Sequence, residues 1–332
     1  MTRLLPSFLD DLLADPDLSR LIDADADCTA MLSFELALAR AEAEAELIPT
    51  DAADRIAMAG ATFRPDQTQL RHATLKDGVV GPEFVRQLRA HIGDPAARHV
   101  HFGATSQDVI DTALAIRLRL IFNLFEGRLA SIVSALDTLM TSHGANALMG
   151  RTRMQAAIPI TVADRLAVWR GLVARALDDL QTVRQRNLIV SLAGAAGSAE
   201  KFGDRIDAVR DTLAGLLGLS VPSYVPHAAR DRIAVLGGWL GQVTGALGKI
   251  GMDIALMAQN EIGEIVMQGG GGSSAMAHKH NPVRAEVLVT LARFNAVQVA
   301  GLHQALVFLR FLVGGGHGFP VAAGVRRRPA PP

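Results

Sequence analysis

The sequence predicts an all-α protein, and three observations support this prediction. Aromatic residues make up only 5% of the 332-residue chain, whereas Ala and Leu, both good helix formers, are abundant. Apolar residues recur at three- and four-residue steps along several segments, which is the period of a helix packed on one face. No alternating run of Val, Ile and Thr is long enough for a sheet strand of useful length. We therefore expect an elongated central bundle of long helices.

The clearest helix begins at Ile233, from which eight apolar positions keep an unbroken three-four spacing up to Met257. Five glycines interleave with this stripe, and close approach of a neighbouring helix is expected to compensate for their low helix propensity. The next two stripe positions are Glu261 and Glu264, which indicates either a site at the helix end or a solvated terminus. The other segments predicted to be helical are 25–47, 81–91, 105–142, 161–190 and 282–311.

Two composition changes divide the chain. Pro, Gly and His residues cluster near residue 100, and the helical pattern stops near residue 310, where a Gly-, Arg- and Pro-rich stretch follows. We expect a small N-terminal helical domain over 1–102, the central long-helix bundle over 103–310, and an irregular, truncated C-terminal tail over 311–332.

Charge and hydropathy narrow the class of protein. The chain carries 33 basic and 33 acidic side chains, which argues against a general nucleic-acid or anionic-membrane binder. The two longest uncharged stretches, 233–248 and 294–309, hold 16 residues each, whereas a membrane span needs about 20. The N-terminus lacks a signal-peptide pattern, and Cys28 is the only cysteine, so no intrachain disulfide can form. We expect a cytoplasmic protein that binds neither nucleic acid nor membrane.

The first segment that carries chemistry precedes the helix predicted from residue 105. Thr105 and Asp108 have the spacing of a capping box, and His101 and Ser106 lie beside them. The free N–H groups and the positive dipole end of such a helix suit a carboxylate. Taken alone, the segment is also compatible with an ordinary helix cap.

The second segment is 150–159, which we expect to form a turn leading toward another helix. It carries Arg151, Arg153 and Gln155. Arginine holds planar carboxylates through two parallel hydrogen bonds, so an acidic substrate fits this segment. In isolation it would be interpreted as a solvated basic turn.

The third segment, 269–282, begins with four glycines and then places Ser273, Lys279 and Asn281 within nine residues of one another. Lys279 and Asn281 offer donors to a developing oxyanion, and Ser273 is suited to proton transfer if nearby donors lower its pKa. A flexible linker is the alternative for the glycines and serines. The Met-x-His-Lys-x-Asn-Pro sequence that follows favours the functional interpretation.

Metal and nucleotide sites are not supported by the sequence. Two His-x-His pairs, His99 with His101 and His278 with His280, lie in predicted loops without a cysteine or an obvious third carboxylate ligand. Neither a dinucleotide-binding nor a phosphate-loop glycine pattern is present. We therefore expect no metal site.

In this order and spacing, the three segments together resemble the signature regions of the fumarase/aspartase superfamily. The matching stretches are Gly-Ala-Thr-Ser-Gln-Asp-Val-Ile-Asp-Thr (103–112), 150–159 and 272–282, and the resemblance covers about residues 20 to 310. Within the superfamily, the segments around His101 and Lys279 are most similar to the 3-carboxy-cis,cis-muconate cycloisomerase family. The resemblance implies a fumarase/aspartase-like helical bundle assembled as a homotetramer, active sites each built from three subunits, and no metal or organic cofactor.

The resemblance also implies roles for individual residues. Ser273 matches the proton-transfer serine, and His101 matches a histidine that related lyases use in the site. The residues that match substrate-binding positions are Thr105, Ser106, Gln155, Lys279 and Asn281. A substrate with several carboxylates needs cationic partners, which Arg151, Arg153, Lys279 and Arg284 supply.

The sequence departs from the superfamily pattern in two places within these segments. Arg153 stands where many of the lyases have a histidine, and Glu286 matches the glutamate that orients that histidine. We expect an Arg153–Glu286 ion pair in place of the relay, a departure that favours the cycloisomerases. Ala277 replaces the usual proline of the third segment, which should loosen the loop.

The resemblance implies a cofactor-independent cycloisomerase that closes 3-carboxy-cis,cis-muconate, or a 3-substituted analogue, to a muconolactone during aromatic catabolism, in the protocatechuate branch of the β-ketoadipate pathway. One alternative is a fumarate-releasing lyase of the adenylosuccinate or argininosuccinate type. A second is a catalytically silent structural homologue. Intact Ser273, Lys279 and Asn281 argue against the silent homologue.

Overall fold

A computed structural model describes residues 7–267, 271–272, 276 and 279–307, and the all-α prediction is confirmed within them. The described helices are α1 (Asp10–Leu13), α2 (Pro16–Ile22), α3 (Ala24–Glu44), α4 (Thr50–Gly60), α5 (Gln67–Asp77), α6 (Gly81–Ile92), α7 (Ser106–His143), α8 (Val162–Asn187), α9 (Ile206–Leu217), α10 (Asp231–Met257) and α11 (Val283–Gln304). Short 3-10 helices cover Ser7–Leu9, Ala96–His99 and Glu200–Arg205. The predicted tail, 311–332, lies outside the described residues.

One hydrophobic core surrounds α3, which packs against α4, α7 and α9. Its fully buried side chains include Phe34, Phe84, Leu88 and Val109, so the start of α7 already belongs to this core. Residues from 190–217 complete it. The core therefore joins the N-terminal helices to later parts of the chain, and the predicted boundary at residue 102 stays a prediction.

A second core fills the space among α7, α8 and α10. Trp239 of α10 contacts Phe122 of α7 edge to face, with ring centroids 6.2 Å apart, and donates its indole N–H to the carbonyl of Ala176 on α8 at 2.8 Å. Because the indole is both packed and hydrogen-bonded, this contact fixes the three helices side by side.

The glycines of α10 let α11 approach closely, as the sequence predicts. A Cβ atom built on Gly237 would lie 2.7 Å from Leu302, and one built on Gly251 would lie 2.6 Å from the carbonyl oxygen of Ala285. At Gly251 the neighbour is backbone, so this position has no room for a side chain. Gly237 and Gly251 therefore lie on the face of α10 that packs against α11, whereas Gly238 and Gly245 face open space.

The other faces of α11 are open to solvent in the single chain. By length and composition alone this helix could cross a membrane, and only 6% of its most apolar window is buried. Phe294 is 59% exposed and Val297 is 70% exposed. Since α10 covers one side of α11 along its length, the exposed apolar side chains indicate a surface without a partner in one chain.

A two-stranded hairpin interrupts the helices, and the helical periodicity does not predict it. Strands β1 (Ala147–Thr152) and β2 (Gln155–Thr161) pair antiparallel, with Thr152 opposite Gln155. The two-residue turn consists of Arg153 and Met154, both with positive φ. This is the geometry of the tight turns that match the twist of a hairpin. The segment expected to be a simple turn is therefore a hairpin that leads into α8.

Candidate functional site

The start of α7 forms the predicted capping box. The N–H of Thr105 donates to the Asp108 carboxylate at 3.0 Å, and the helix begins at Ser106. Thr105 and Ser106 are half-buried. Because the first turn of a helix leaves N–H groups unpaired and carries a positive dipole end, this position suits an anionic group, as the sequence predicts.

Asp108 anchors this helix start to two other parts of the chain, the loop at 191–194 and His227. Its buried carboxylate accepts hydrogen bonds from the N–H groups of Ala193 and Gly194, at 2.9 and 3.0 Å, and lies 2.5 Å from Nε2 of His227. The side chain is fully enclosed. Asp108 therefore holds the helix start in place and is not available to a substrate.

Asp111, one turn further along α7, holds two arginines. Arg230 donates to both oxygens of its carboxylate at 2.9 and 3.0 Å, and Arg232 lies 3.2 Å from it. Arg232 is almost completely buried, and burial lowers its pKa although the Asp111 charge opposes this shift. Two guanidinium groups thus share one carboxylate close to the start of α7, which adds positive potential where the helix dipole is already positive. No motif or spacing in the sequence points to these residues.

His101 is held against a buried carboxylate from the N-terminal helices. Its Nδ1 lies 2.6 Å from Oε1 of Glu35 on α3, and its backbone is in the left-handed region with a φ of 60°. Burial by itself lowers the pKa of His101, but the charges of Glu35 and Asp108 and the hydrogen bond to Glu35 outweigh it, so the pKa is raised. His101 is therefore biased toward the cationic form, in which it can donate a proton.

The hairpin carries the second predicted segment, and it pairs with the end of α10. Arg151 on β1 contacts Glu264 with 2.5 Å between Nη1 and Oε1, and both side chains are largely buried. The solvated-terminus alternative is therefore wrong for Glu264, which occupies a buried ion pair instead. Arg153 and Gln155 lie exposed at the hairpin tip.

Part of the third segment lies outside the described residues, including Ser273 and Ala277. Within the described part, the base of the loop is closed by two backbone hydrogen bonds between Gly271 and Asn281, of 3.0 and 2.8 Å. Lys279 is exposed. This arrangement presents Lys279 to solvent just before α11 begins.

Arg284 and Glu286 lie exposed on the first turn of α11. The expected ion pair between Arg153 and Glu286 is not formed by these two described side chains within one chain. Both remain accessible to another molecule.

The described segments lie at opposite ends of the long-helix bundle. The first segment precedes α7, and the hairpin follows α7. This helix has 38 residues, so it is about 57 Å long. The Arg151–Glu264 contact places the end of α10, and hence the approach to the third segment, at the hairpin end. One small substrate cannot contact both ends of a single chain. A site that uses all three segments must combine segments from different chains.

Within the described ranges, no group of three or more His, Cys, Asp or Glu side chains is placed to hold a metal ion. The described groups at the two ends include hydrogen-bond donors and cations, among them the first turn of α7, His101, Arg153 and Lys279. Such groups can orient carboxylates, stabilise a developing negative charge and transfer protons.

The chain is similar to a known family and to enzymes of known activity. The family described as lyase matches residues 18–301. The 3-carboxy-cis,cis-muconate cycloisomerase of Acinetobacter baylyi is 34% identical over 299 residues, which is 88% of this chain and 66% of the relative. The enzyme of the same name from Pseudomonas aeruginosa is 38% identical over 268 residues, covering 79% of this chain and 58% of the relative.

A solved structure is similar over most of the chain. The 3-carboxy-cis,cis-muconate lactonizing enzyme from Pseudomonas putida superposes with a TM-score of 0.86 at 36% identity, covering 91% of this chain and 68% of that chain. The chain thus spans about two thirds of the length of these relatives, or less.

Proposed function

This chain belongs to the lyase family, and from that premise we propose that it acts as a cofactor-independent cycloisomerase. The proposed reaction closes 3-carboxy-cis,cis-muconate, or an analogue with another anionic 3-substituent, to a muconolactone. The proposed setting is cytoplasmic, in the protocatechuate branch of the β-ketoadipate pathway. Support comes from the relatives from Acinetobacter baylyi and Pseudomonas aeruginosa, which are named for this activity.

The observation that carries the proposal is the combination of groups at the start of α7. A helix N-terminus, with Arg230 and Arg232 beside it, provides positive potential for carboxylates. His101, biased toward its cationic form by Glu35, lies in the loop that leads into the same helix. A site for several carboxylates next to a proton donor is what the lactonisation requires.

The proposed mechanism is an intramolecular conjugate addition. One carboxylate of the substrate attacks a double bond conjugated to another carboxylate, so a C–O bond forms and negative charge moves onto the accepting carboxylate. Lys279, Asn281 and the first turn of α7, with Thr105 and Ser106, are proposed to stabilise this charge. A general acid then protonates the adjacent carbon, and Ser273 and His101 are the proposed donors.

We further propose that the active site forms only when several copies assemble, in a homotetramer with three chains contributing to each site. The length of α7 supports this assembly, because it separates the first segment from the hairpin by about 57 Å. The exposed apolar residues of α11, among them Phe294 and Val297, provide a surface for association. In such an assembly Arg153 and Gln155 of one chain and Arg284 of a second chain would approach His101 of a third.

One assay of the purified protein with 3-carboxy-cis,cis-muconate tests the function. The proposal predicts loss of the diene ultraviolet absorbance together with lactone formation. Lys279→Ala should reduce turnover by at least about 100-fold, whereas Lys76→Ala, which removes an exposed lysine from α5, should not. Fumarate release from argininosuccinate- or adenylosuccinate-type substrates without lactone formation would favour the lyase alternative. No turnover of any of these substrates would favour a silent homologue.

A further inference from the structure

Two carboxylates of α3, those of Glu35 and Glu42, are buried, and neither contacts the substrate in the proposed mechanism. Glu35 and Glu42 are seven residues apart on α3 and therefore lie on one face of the helix. Glu35 is 1% exposed and Glu42 is fully buried. Burying a carboxylate in an apolar core costs several kcal/mol unless it is paired. The paired member of the two is Glu35, and its partner is His101.

The hydrogen bond from His101 leaves one imidazole nitrogen for other contacts. Nδ1 lies 2.6 Å from Oε1 of Glu35, while Oε2 of Glu35 and both oxygens of Glu42 have no hydrogen-bond partner among the described residues. The loop is fixed next to His101, because Val100 is buried and its carbonyl accepts a hydrogen bond from Arg89 at 2.8 Å. The imidazole is therefore fixed by the contact of Nδ1 with Glu35. Its Nε2 has no hydrogen-bond partner within the part of the chain that the structure describes.

Charged groups from three helices face His101. Glu35 comes from α3, Asp108 from α7 and Arg89 from α6; the two carboxylates raise the pKa of His101 and Arg89 lowers it. Glu42 lies about two helical turns from Glu35 on α3. Burial together with the Glu35 charge raises the pKa of Glu42 to about 9, so Glu42 is neutral near pH 7. The charged contact made directly with the imidazole is therefore the one from Glu35.

We propose that Glu35 is a positioning residue for the lactonisation: it accepts the Nδ1 proton of His101 in a hydrogen bond and so presents Nε2–H to the substrate bound at the start of α7. This role rests on the proposed function. After the C–O bond has formed, the Nε2 proton moves to the carbon next to the accepting carboxylate. Neutral His101 then takes up a proton from water, and the Nδ1 proton stays with the Glu35 contact throughout.

The first test is an NMR titration of the His101 ring in the full chain, assigned by the resonance that disappears in His101→Asn. In Glu35→Gln the apparent pKa of His101 should fall by about one pH unit or more, because the carboxylate charge is lost while the side-chain shape is kept. Glu44→Gln makes the same change at an exposed position of the same helix and should leave the titration unchanged. An unchanged titration in folded Glu35→Gln would overturn the proposal.

The second test is kinetic. Glu35→Gln should lower kcat by about 100-fold with little change in KM. The apparent pKa of His101 in the pH profile of the rate should shift by the same amount as in the NMR titration. Because Glu35 acts through His101, Glu35→Gln should cause no further loss in a His101→Asn background. An equal additional loss there would show a purely structural role and would contradict the proposal.

A third variant keeps the test decisive if Glu35→Gln does not fold. Glu35→Asp retains the carboxylate at a greater distance and should give a His101 pKa between those of the wild type and the neutral variant. A lowered His101 pKa together with a lowered kcat in Glu35→Asp supports the proposal, whereas a lowered pKa with a normal kcat contradicts it. An inactive wild-type protein would refute the proposed function itself, whereas an active wild type with an unaffected Glu35→Gln would refute only the role of Glu35.

Discussion

Glu42 should contribute a loss of stability as pH rises, and Glu42→Gln should remove this contribution. The side chain is fully buried on α3, and neither carboxylate oxygen has a hydrogen-bond partner among the described residues. Burial, and secondly the charge of Glu35, raises the pKa of Glu42 from its ordinary value of 4.5 to about 9. Folding therefore requires this carboxyl group to be neutral over most of the physiological pH range.

The sign and size of the effect follow from proton linkage. Between the unfolded and folded pKa values, the folded state binds more protons than the unfolded state, so the free energy of unfolding falls as pH rises. The fall is about 1.4 kcal/mol per pH unit, which amounts to about 3 kcal/mol between pH 4.5 and pH 7. Glutamine has nearly the same shape and no charge. Glu42→Gln should therefore be more stable than the wild type by about 3 kcal/mol at pH 7, and by less than about 1 kcal/mol near pH 5.

Denaturant unfolding of both proteins at several pH values measures this difference directly. All other titrating groups are common to the two proteins, so the difference between their unfolding free energies isolates Glu42. Glu44→Gln, an exposed substitution on the same helix, should show no gain that grows with pH. The reasoning would be refuted if the difference in unfolding free energy between the two proteins stayed constant between about pH 5 and about pH 8.5. It would also be refuted if Glu42→Gln were less stable than the wild type at pH 7.

Two further predictions concern packing and pairing in the bundle. Arg151→Met leaves the largely buried Glu264 carboxylate unpaired and should cost about 3 kcal/mol of stability, and adding Glu264→Gln should recover most of this cost in the same denaturation assay. No recovery in the double variant would contradict a buried ion pair. Gly251→Ala would place a methyl group against the carbonyl of Ala285 and should cost about 2 kcal/mol, whereas Gly245→Ala, which has open space around it, should stabilise α10 by up to about 1 kcal/mol. Equal thermal melting temperatures for these two variants would show that α11 does not approach α10 as described.

The long helices were predictable because their cues are local. The helix predicted at 105–142 is observed as Ser106–His143, and the one predicted at 161–190 as Val162–Asn187. A capping box marks the start of each, and an apolar stripe continues through each. The hairpin between them was not predicted, since its strands are short and its turn, Arg153-Met154, contains neither Gly nor Asn, the residues that usually signal positive φ.

The candidate site was predictable only in part, for the same reason. Thr105 and Ser106 were identified because a helix start depends on neighbours within four residues. The partners of His101 and Asp108 come from residues 66 and 119 positions away, Glu35 and His227, and no spacing rule connects them. Glu264 stands out in the sequence because a charged residue there continues the apolar stripe of α10. Its partner Arg151 cannot be identified from the sequence, because the two meet only when the hairpin packs against the end of α10.

Mixing two inactive variants shows whether the segments separated by α7 meet only between chains. His101→Asn removes a group from the first segment, and Lys279→Ala removes one from the third. If the two variants are denatured and refolded together in equal amounts, we expect lactonising activity to recover at about a quarter of the wild-type sites, because some assembled sites draw each segment from an intact chain. A mixture as inactive as its two components would contradict sites shared between chains, since it would place both residues in the site of one chain.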